Sequence, residues 1–111
     1  MILDIIELHD GRIGINSSET FLLIWDYRTL SENNLSALED HDGRVTCMLR
    51  MGKRLLTGSE DSNIKMWDPA KTDACKRTFA GHSKPIICMV RVEKRIYASA
   101  SRDHTIRLWD A

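Results

Sequence analysis

A chain of 111 residues, 42% of them hydrophobic, is long and apolar enough to bury a core, which excludes intrinsic disorder. Its 16 Lys+Arg balance its 16 Asp+Glu to a formal net charge of zero, so neither specific nucleic-acid binding nor attachment to an acidic membrane is expected. The longest apolar runs, Phe21 to Trp25 and Ile86 to Val90, are five residues each, against about 20 for a membrane-spanning helix.

Along the chain, Asp4 and Glu7 come first, where a secretory signal would carry basic residues followed by an apolar stretch of about 7 to 15. An intracellular location, cytoplasm or nucleus, is therefore expected. The next segment, His9-Asp10-Gly11-Arg12, reads as a hairpin turn with His9 on the surface. Phe21-Leu22-Leu23-Ile24-Trp25 is apolar on both faces, which suggests burial on two sides or an interface. Val45 to Met51 forms a strand A, and Gly52-Lys53 turns it into strand B, Arg54 to Ser59. After the turn Glu60-Asp61-Ser62 comes strand C, Asn63 to Trp67, whose alternation puts Ile64 and Met66 on one face and Lys65 and Trp67 on the other. An outer strand D, Cys75 to Phe79, precedes Ala80-Gly81-His82. Cys47, Cys75 and Cys88 match neither a disulfide framework nor the close pairs of a zinc site, so no metal or other cofactor is expected.

These elements recur. The three tryptophans stand at 25, 67 and 109, two intervals of 42, and each is followed by aspartate: Ile24-Trp25-Asp26, Met66-Trp67-Asp68 and Leu108-Trp109-Asp110. At the same offset the segment 56–68 matches 98–110. Further upstream the offset is 41, so that His41 meets His82 and Val45-Thr46-Cys47-Met48 meets Ile86-Ile87-Cys88-Met89. One residue inserted between Val92 and Ala98 accounts for the change, as a hairpin loop tolerates. Four antiparallel strands per period follow. Cys47 and Cys88 then hold equivalent positions and read as small buried apolar residues, and Met48, Met51, Met66 and Met89 as core filling.

Gly81-His82, followed 27 residues later (109−82) by Trp109-Asp110 with Ser101-Arg102-Asp103-His104-Thr105-Ile106-Arg107-Leu108 leading in, resembles a WD repeat of the β-propeller family. His41 to Asp68 resembles it too, with Asp40 in place of the glycine. The resemblance implies an all-β chain of three propeller blades, 1–40, 41–82 and 83–111, the last with strands A to C only. Such an arrangement would be an open arc, part of a larger propeller, or half of a ring closed by a second copy. It also implies a buried hydrogen-bond network in each regular blade. Blade two would use Trp67, Thr57 or Ser59, His41 and Asp61; blade three would use Trp109, Ser99 or Ser101, His82 and Asp103. The first unit departs, with Glu19 where Asp61 and Asp103 stand, Leu23 where Lys65 and Arg107 stand, and no Gly-His.

Ser101, Asp103 and His104 offer the groups of a hydrolase triad, but residues crowded into one turn are poorly placed for nucleophile, base and acid, so no catalytic residue is assigned. The resemblance instead implies a non-enzymatic interaction scaffold or adaptor for other proteins or peptides. The alternative is a regulatory or substrate-recruiting piece of a ubiquitin-ligase or kinase assembly. The resemblance further implies partner contacts at the loops between strands D and A and between strands B and C, which names Ser18, Glu60, Arg102, Arg44 and Lys84. Arg91, Lys94, Arg95, Lys76 and Arg77 form the densest basic neighbourhood and read as solvated charges.

Overall fold

Short runs of aliphatic and aromatic residues at every second position, broken by Gly, Asp and Ser, are built to lie as strands with both faces against neighbouring sheets. The computed structural model describes residues 4–8, 11–17, 19–28, 35–69 and 71–111, and in them eleven strands form three antiparallel sheets. Sheet 1 holds β1 (Asp4–Glu7), β2 (Arg12–Asn16), β3 (Phe21–Asp26) and β4 (Leu35–Glu39). Sheet 2 holds β5 (Val45–Met51), β6 (Arg54–Ser59), β7 (Ile64–Asp68) and β8 (Lys71–Phe79). Sheet 3 holds β9 (Ile86–Arg91), β10 (Ile96–Ser101) and β11 (Ile106–Asp110). Within each sheet the strands lie in chain order, each paired antiparallel with the next. Among the described residues no helix is long and apolar enough to cross a membrane.

The core lies between sheets, in two joints. Leu8, Leu22, Ile24 and Leu38 of the first unit pack on Val45, Met48, Leu55 and Trp67 of the second. Met51, Leu56, Ile64 and Phe79 then pack on Ile86 and Tyr97 of the third, with Met66, Met89 and Trp109 at the margin. Strand β7 therefore sends Trp67 into the first joint and Ile64 into the second, as its alternation requires. The second joint is close. A Cβ on Gly58 would stand 2.7 Å from Cys47 Sγ and 2.7 Å from Ile86 Cγ2, whereas the equivalent residue of sheet 3 is Ala100.

The outer faces of sheets 1 and 3 explain one departure from the sequence reading and the exposure of several apolar residues. Cys88 is exposed, not buried like a core residue, because it lies on the face of sheet 3 that meets no further sheet; Cys47, its equivalent, is half-buried. Ile106 and Leu108 are exposed for the same reason, although their counterparts Ile64 and Met66 pack into the second joint. In β3, Leu22 and Ile24 are buried against sheet 2 while Trp25, on the opposite face, is 39% exposed, so the strand is covered on one side. The outer strand β8 begins at Lys71, ahead of the Cys75 expected, with register shifts opposite Met66–Trp67 and Trp67–Asp68.

Candidate interaction surface

Burying Trp67 takes its indole N–H out of water, and an unpaired buried donor costs about 1 to 3 kcal/mol. The donor finds Thr57 Oγ1 at 2.8 Å, and the same hydroxyl lies 2.7 Å from His41 Nε2. His41 Nδ1 is 2.8 Å from Asp61 Oδ2. Blade three repeats the arrangement: Trp109 Nε1 donates to Ser99 Oγ at 2.8 Å, Ser99 Oγ is 2.7 Å from His82 Nε2, and His82 Nδ1 is 2.9 Å from Asp103 Oδ2. With a neutral imidazole the hydrogens have one consistent arrangement. The indole can only donate and the carboxylate only accept, so the hydroxyl donates to Nε2 and the ring's hydrogen sits on Nδ1. Burial holds the His41 pKa below its ordinary value, against the pull of Asp61. Burial pushes Asp61 the other way, but the Asn63 amide and the His41 ring outweigh it and keep that carboxyl below the usual range.

Sequence left two hydroxyls open in each blade, and the structure gives them different partners. Ser59 Oγ accepts the Asp61 amide at 3.1 Å, and Ser101 Oγ accepts the Asp103 amide at 3.1 Å while donating to the Lys84 carbonyl at 2.8 Å. Ser59 and Ser101 thus shape the turns that aim Asp61 and Asp103 at the histidines. In blade three the Thr105 hydroxyl also bonds Asp103 Oδ1 and lies 3.1 Å from His82 Nδ1.

Ser99, His82 and Asp103 stand in the order of a nucleophile, base and acid. Ser99 Oγ is nevertheless buried under the Trp109 indole that donates to it, out of reach of a substrate carbonyl at the surface. Among the described residues, no group of three or more His, Cys, Asp and Glu is placed to hold a metal ion.

The glycine missing from blade two has a local cause. A Cβ at Gly81 would meet Trp109 at 3.1 Å and the Arg107 guanidinium at 3.2 Å. In blade two the counterparts are Asp40 and Lys65, and Lys65 Nζ donates to Asp40 Oδ2 at 3.2 Å and to Thr78 Oγ1 at 3.1 Å. A shorter, carboxylate-paired cation accepts the side chain that the arginine does not.

The loops ahead of β5 and β9 are pinned to the turns after β6 and β10. Glu60 N donates to Arg44 O at 2.9 Å, and Arg102 N to Pro85 O at 3.0 Å. Register shifts between Val45 and Cys47, and between Ala100 and Ser101, leave Thr46 and Ile87 as equivalent bulged residues. Thr46 Oγ1 bonds the Ile86 carbonyl at 2.6 Å, and Ile87 is 52% exposed. Between the two blades this end opens a recess of about 330 Å³ lined by Thr46, Glu60, Pro85, Ile86, Ile87 and Arg102. Arg44 and Lys84 are exposed on the flanking loops. Ser18 and the His9-Asp10 turn lie outside the described residues.

Sequence reasoning missed one recurrent feature. Asp26, Asp68 and Asp110, the acids that follow tryptophan, face Arg12 at 3.8 Å, Arg54 at 3.4 Å and Arg95 at 3.8 Å. The arginines precede them by 14, 14 and 15 residues (26−12, 68−54, 110−95), the extra residue being the insertion already noted, so the repeat itself carried the signal.

Consecutive antiparallel sheets of four, four and three strands, with a Trp–hydroxyl–His–Asp network in the second and third, define a protein of propeller blades. The model of the WD domain, G-beta repeat, matches residues 32–68 and 73–110, more than half of the chain. The chain belongs to the WD-repeat family. The nuclear distribution protein nudF of Aspergillus niger is 45% identical over 104 residues, covering 88% of this chain and 23% of that protein. The WD repeat-containing protein pop1 of Schizosaccharomyces pombe is 30% identical over 129 residues, covering 94% of this chain and 16% of that protein. A p21-activated protein kinase-interacting protein 1-like of Xenopus laevis is 26% identical over 110 residues, covering 97% of this chain and 30% of that protein. The chain thus spans less than a third of the length of each. A chain in the crystal structure of a mitotic checkpoint complex superposes with a TM-score of 0.83 at 21% identity, over 98% of this chain and 33% of that one. That likeness concerns the fold.

Proposed function

We propose that this chain is a non-enzymatic, intracellular protein-interaction scaffold whose partners dock on the end carrying the Glu60 and Arg102 turns. The observation that carries the reading is the recess between the second and third blades. Its apolar lining, Pro85, Ile86 and Ile87, is accompanied by an acid and a base, Glu60 and Arg102, held at equivalent places on pinned turns. Preorganised loops of this kind lower the ordering cost of association, and charges of opposite sign favour partners that present the complement. Arg44 and Lys84 extend the charged rim, and Ser18 is proposed for the same end by its place in the repeat.

Charge reversal at both turns, Glu60→Arg with Arg102→Glu, tests this in quantitative affinity purification from cell lysate. At least one protein recovered by the parent chain is expected to be lost, with the melting midpoint unchanged. An identical set of recovered proteins would exclude this end as the docking face. Turnover by the purified chain on a broad hydrolase panel would overturn the non-enzymatic part. One relative is named for interaction with a protein kinase, which favours as a second reading the recruiting piece of an enzyme assembly.

A further inference from the structure

At the other end of the joint between sheets 2 and 3 lies a second recess, of about 270 Å³, lined by Met51, Arg54, Met66, Lys94, Arg95 and Ala111. Its apolar wall is two thioether side chains, which adapt to varied apolar partners. Three cations surround them. Arg54 opens β6, while Lys94 and Arg95 come from the turn between β9 and β10. That turn is fixed by its own bonds: Val92 N and Glu93 N donate to Ile96 O at 2.9 and 3.1 Å, and Arg91 Nε donates to Glu93 O at 3.1 Å. Arg54 faces Asp68 and Arg95 faces Asp110, whereas Lys94 has no ion pair among the described residues. Among these side chains, three cations stand against two carboxylates.

Asp110 and Ala111 show which chemistry suits this turn. Ala111 N donates to Arg95 O at 2.7 Å, Ala111 packs against the apolar cluster of the joint, and the Asp110 carboxylate stands 3.8 Å from Arg95 Nε. An acidic residue followed by an apolar one already lies along the turn. At 270 Å³ the recess is just below the range of small-molecule sites, about 300 to 1,000 Å³, and suits one or two peptide side chains better than a cofactor.

We propose that this recess binds a peptide segment in which an acidic residue adjoins an aliphatic one. The carboxylate meets Lys94 and Arg95, and the aliphatic side chain lies on Met51 and Met66. The site is at the opposite end of the strands from the Glu60 and Arg102 turns, so its failure would leave the docking face proposed above untouched.

Methyl-labelled methionine NMR of the full chain, titrated with a capped hexapeptide of alternating glutamate and leucine, tests the proposal. The Met51 and Met66 methyls are expected to shift while Met48, in the other joint, stays in place. Lys94→Glu is expected to weaken binding about tenfold, Lys94→Ala by a smaller factor, and added salt to weaken the parent's binding. The Met48 resonance reports in the same spectra that each variant is folded. The proposal is overturned by unshifted Met51 and Met66 at millimolar peptide, by equal affinity for an alternating lysine–leucine hexapeptide, or by unchanged affinity in Lys94→Glu.

Discussion

Thr57 serves two buried partners through one oxygen, so it matters more than its size suggests. Thr57→Val keeps the shape and leaves both the Trp67 N–H and the His41 Nε2 unpaired, which is expected to cost about 1 to 3 kcal/mol for each group. A urea melt superposable on the parent's would rule this out. Tyr97 presents the converse case. It is fully buried between Phe79 and Trp109, its hydroxyl has no hydrogen-bond partner among the described residues, and burial pushes its pKa above the ordinary tyrosine value against the Arg77 charge. Tyr97→Phe removes an unsatisfied polar atom and is expected to stabilise the chain by about 1 kcal/mol, seen as a higher urea midpoint. Protonation acts on the same networks. The unfolded chain takes a proton on His41 near its ordinary value of 6.5 while the folded chain resists it, so this stabilisation is present above 6.5 and declines below it. Asp61, also depressed, adds stability that is present above 3.8 and is lost as pH falls through its folded value. Thermal midpoints are therefore expected to fall steadily from pH 7 to pH 4; a midpoint constant over that range would contradict the assignment.

At the level of strands and turns, equivalent positions answer differently according to what lies across the joint. Gly58→Ala forces a methyl into Cys47 and Ile86 and is expected to cost about 1 to 3 kcal/mol in a denaturant melt. The equivalent place in sheet 3 already holds Ala100. The turns after β6 and β10 make the same backbone demand twice: Ser62 has φ 74° and His104 has φ 68°, both left-handed. His104→Gly is expected to raise stability by up to about 1 kcal/mol, since the exposed ring gives little in return for the strain. A lower melting midpoint for this variant would show that the ring contributes more than its backbone costs. Periodicity alone revealed the two turns as equivalent. It did not reveal which hydroxyl meets the histidine, because Thr57 and Ser59 lie two apart on one strand and only the seating of His41 separates them.

At the largest scale, several apolar residues on the outer faces of sheets 1 and 3 are exposed among the described residues. Ile5, Trp25 and Leu35 mark one end, and Val90, Ile106 and Leu108 the other. Faces of this kind promote association. Light scattering coupled to size exclusion is expected to give an apparent mass above 12.7 kDa at high concentration, and Ile106→Lys with Leu108→Lys is expected to bring it down with little change in melting. An unchanged mass in that double variant would remove the sheet 3 face from the association. The 42-residue period and the strands were legible in the chain because each blade solves the same burial problem with the same residue types, and the candidate network was implied by the family resemblance those repeats carry. Which of two equivalent side chains is covered was not legible in the local pattern. Cys47 and Cys88, or Ile64 and Ile106, are the same or nearly the same residue in the same local pattern, and they differ only in whether another sheet lies across from them. Burial is a property of the neighbour as much as of the residue. Local pattern therefore specified the blades, and packing between sheets decided which equivalent side chains are core, which line a recess and which remain open.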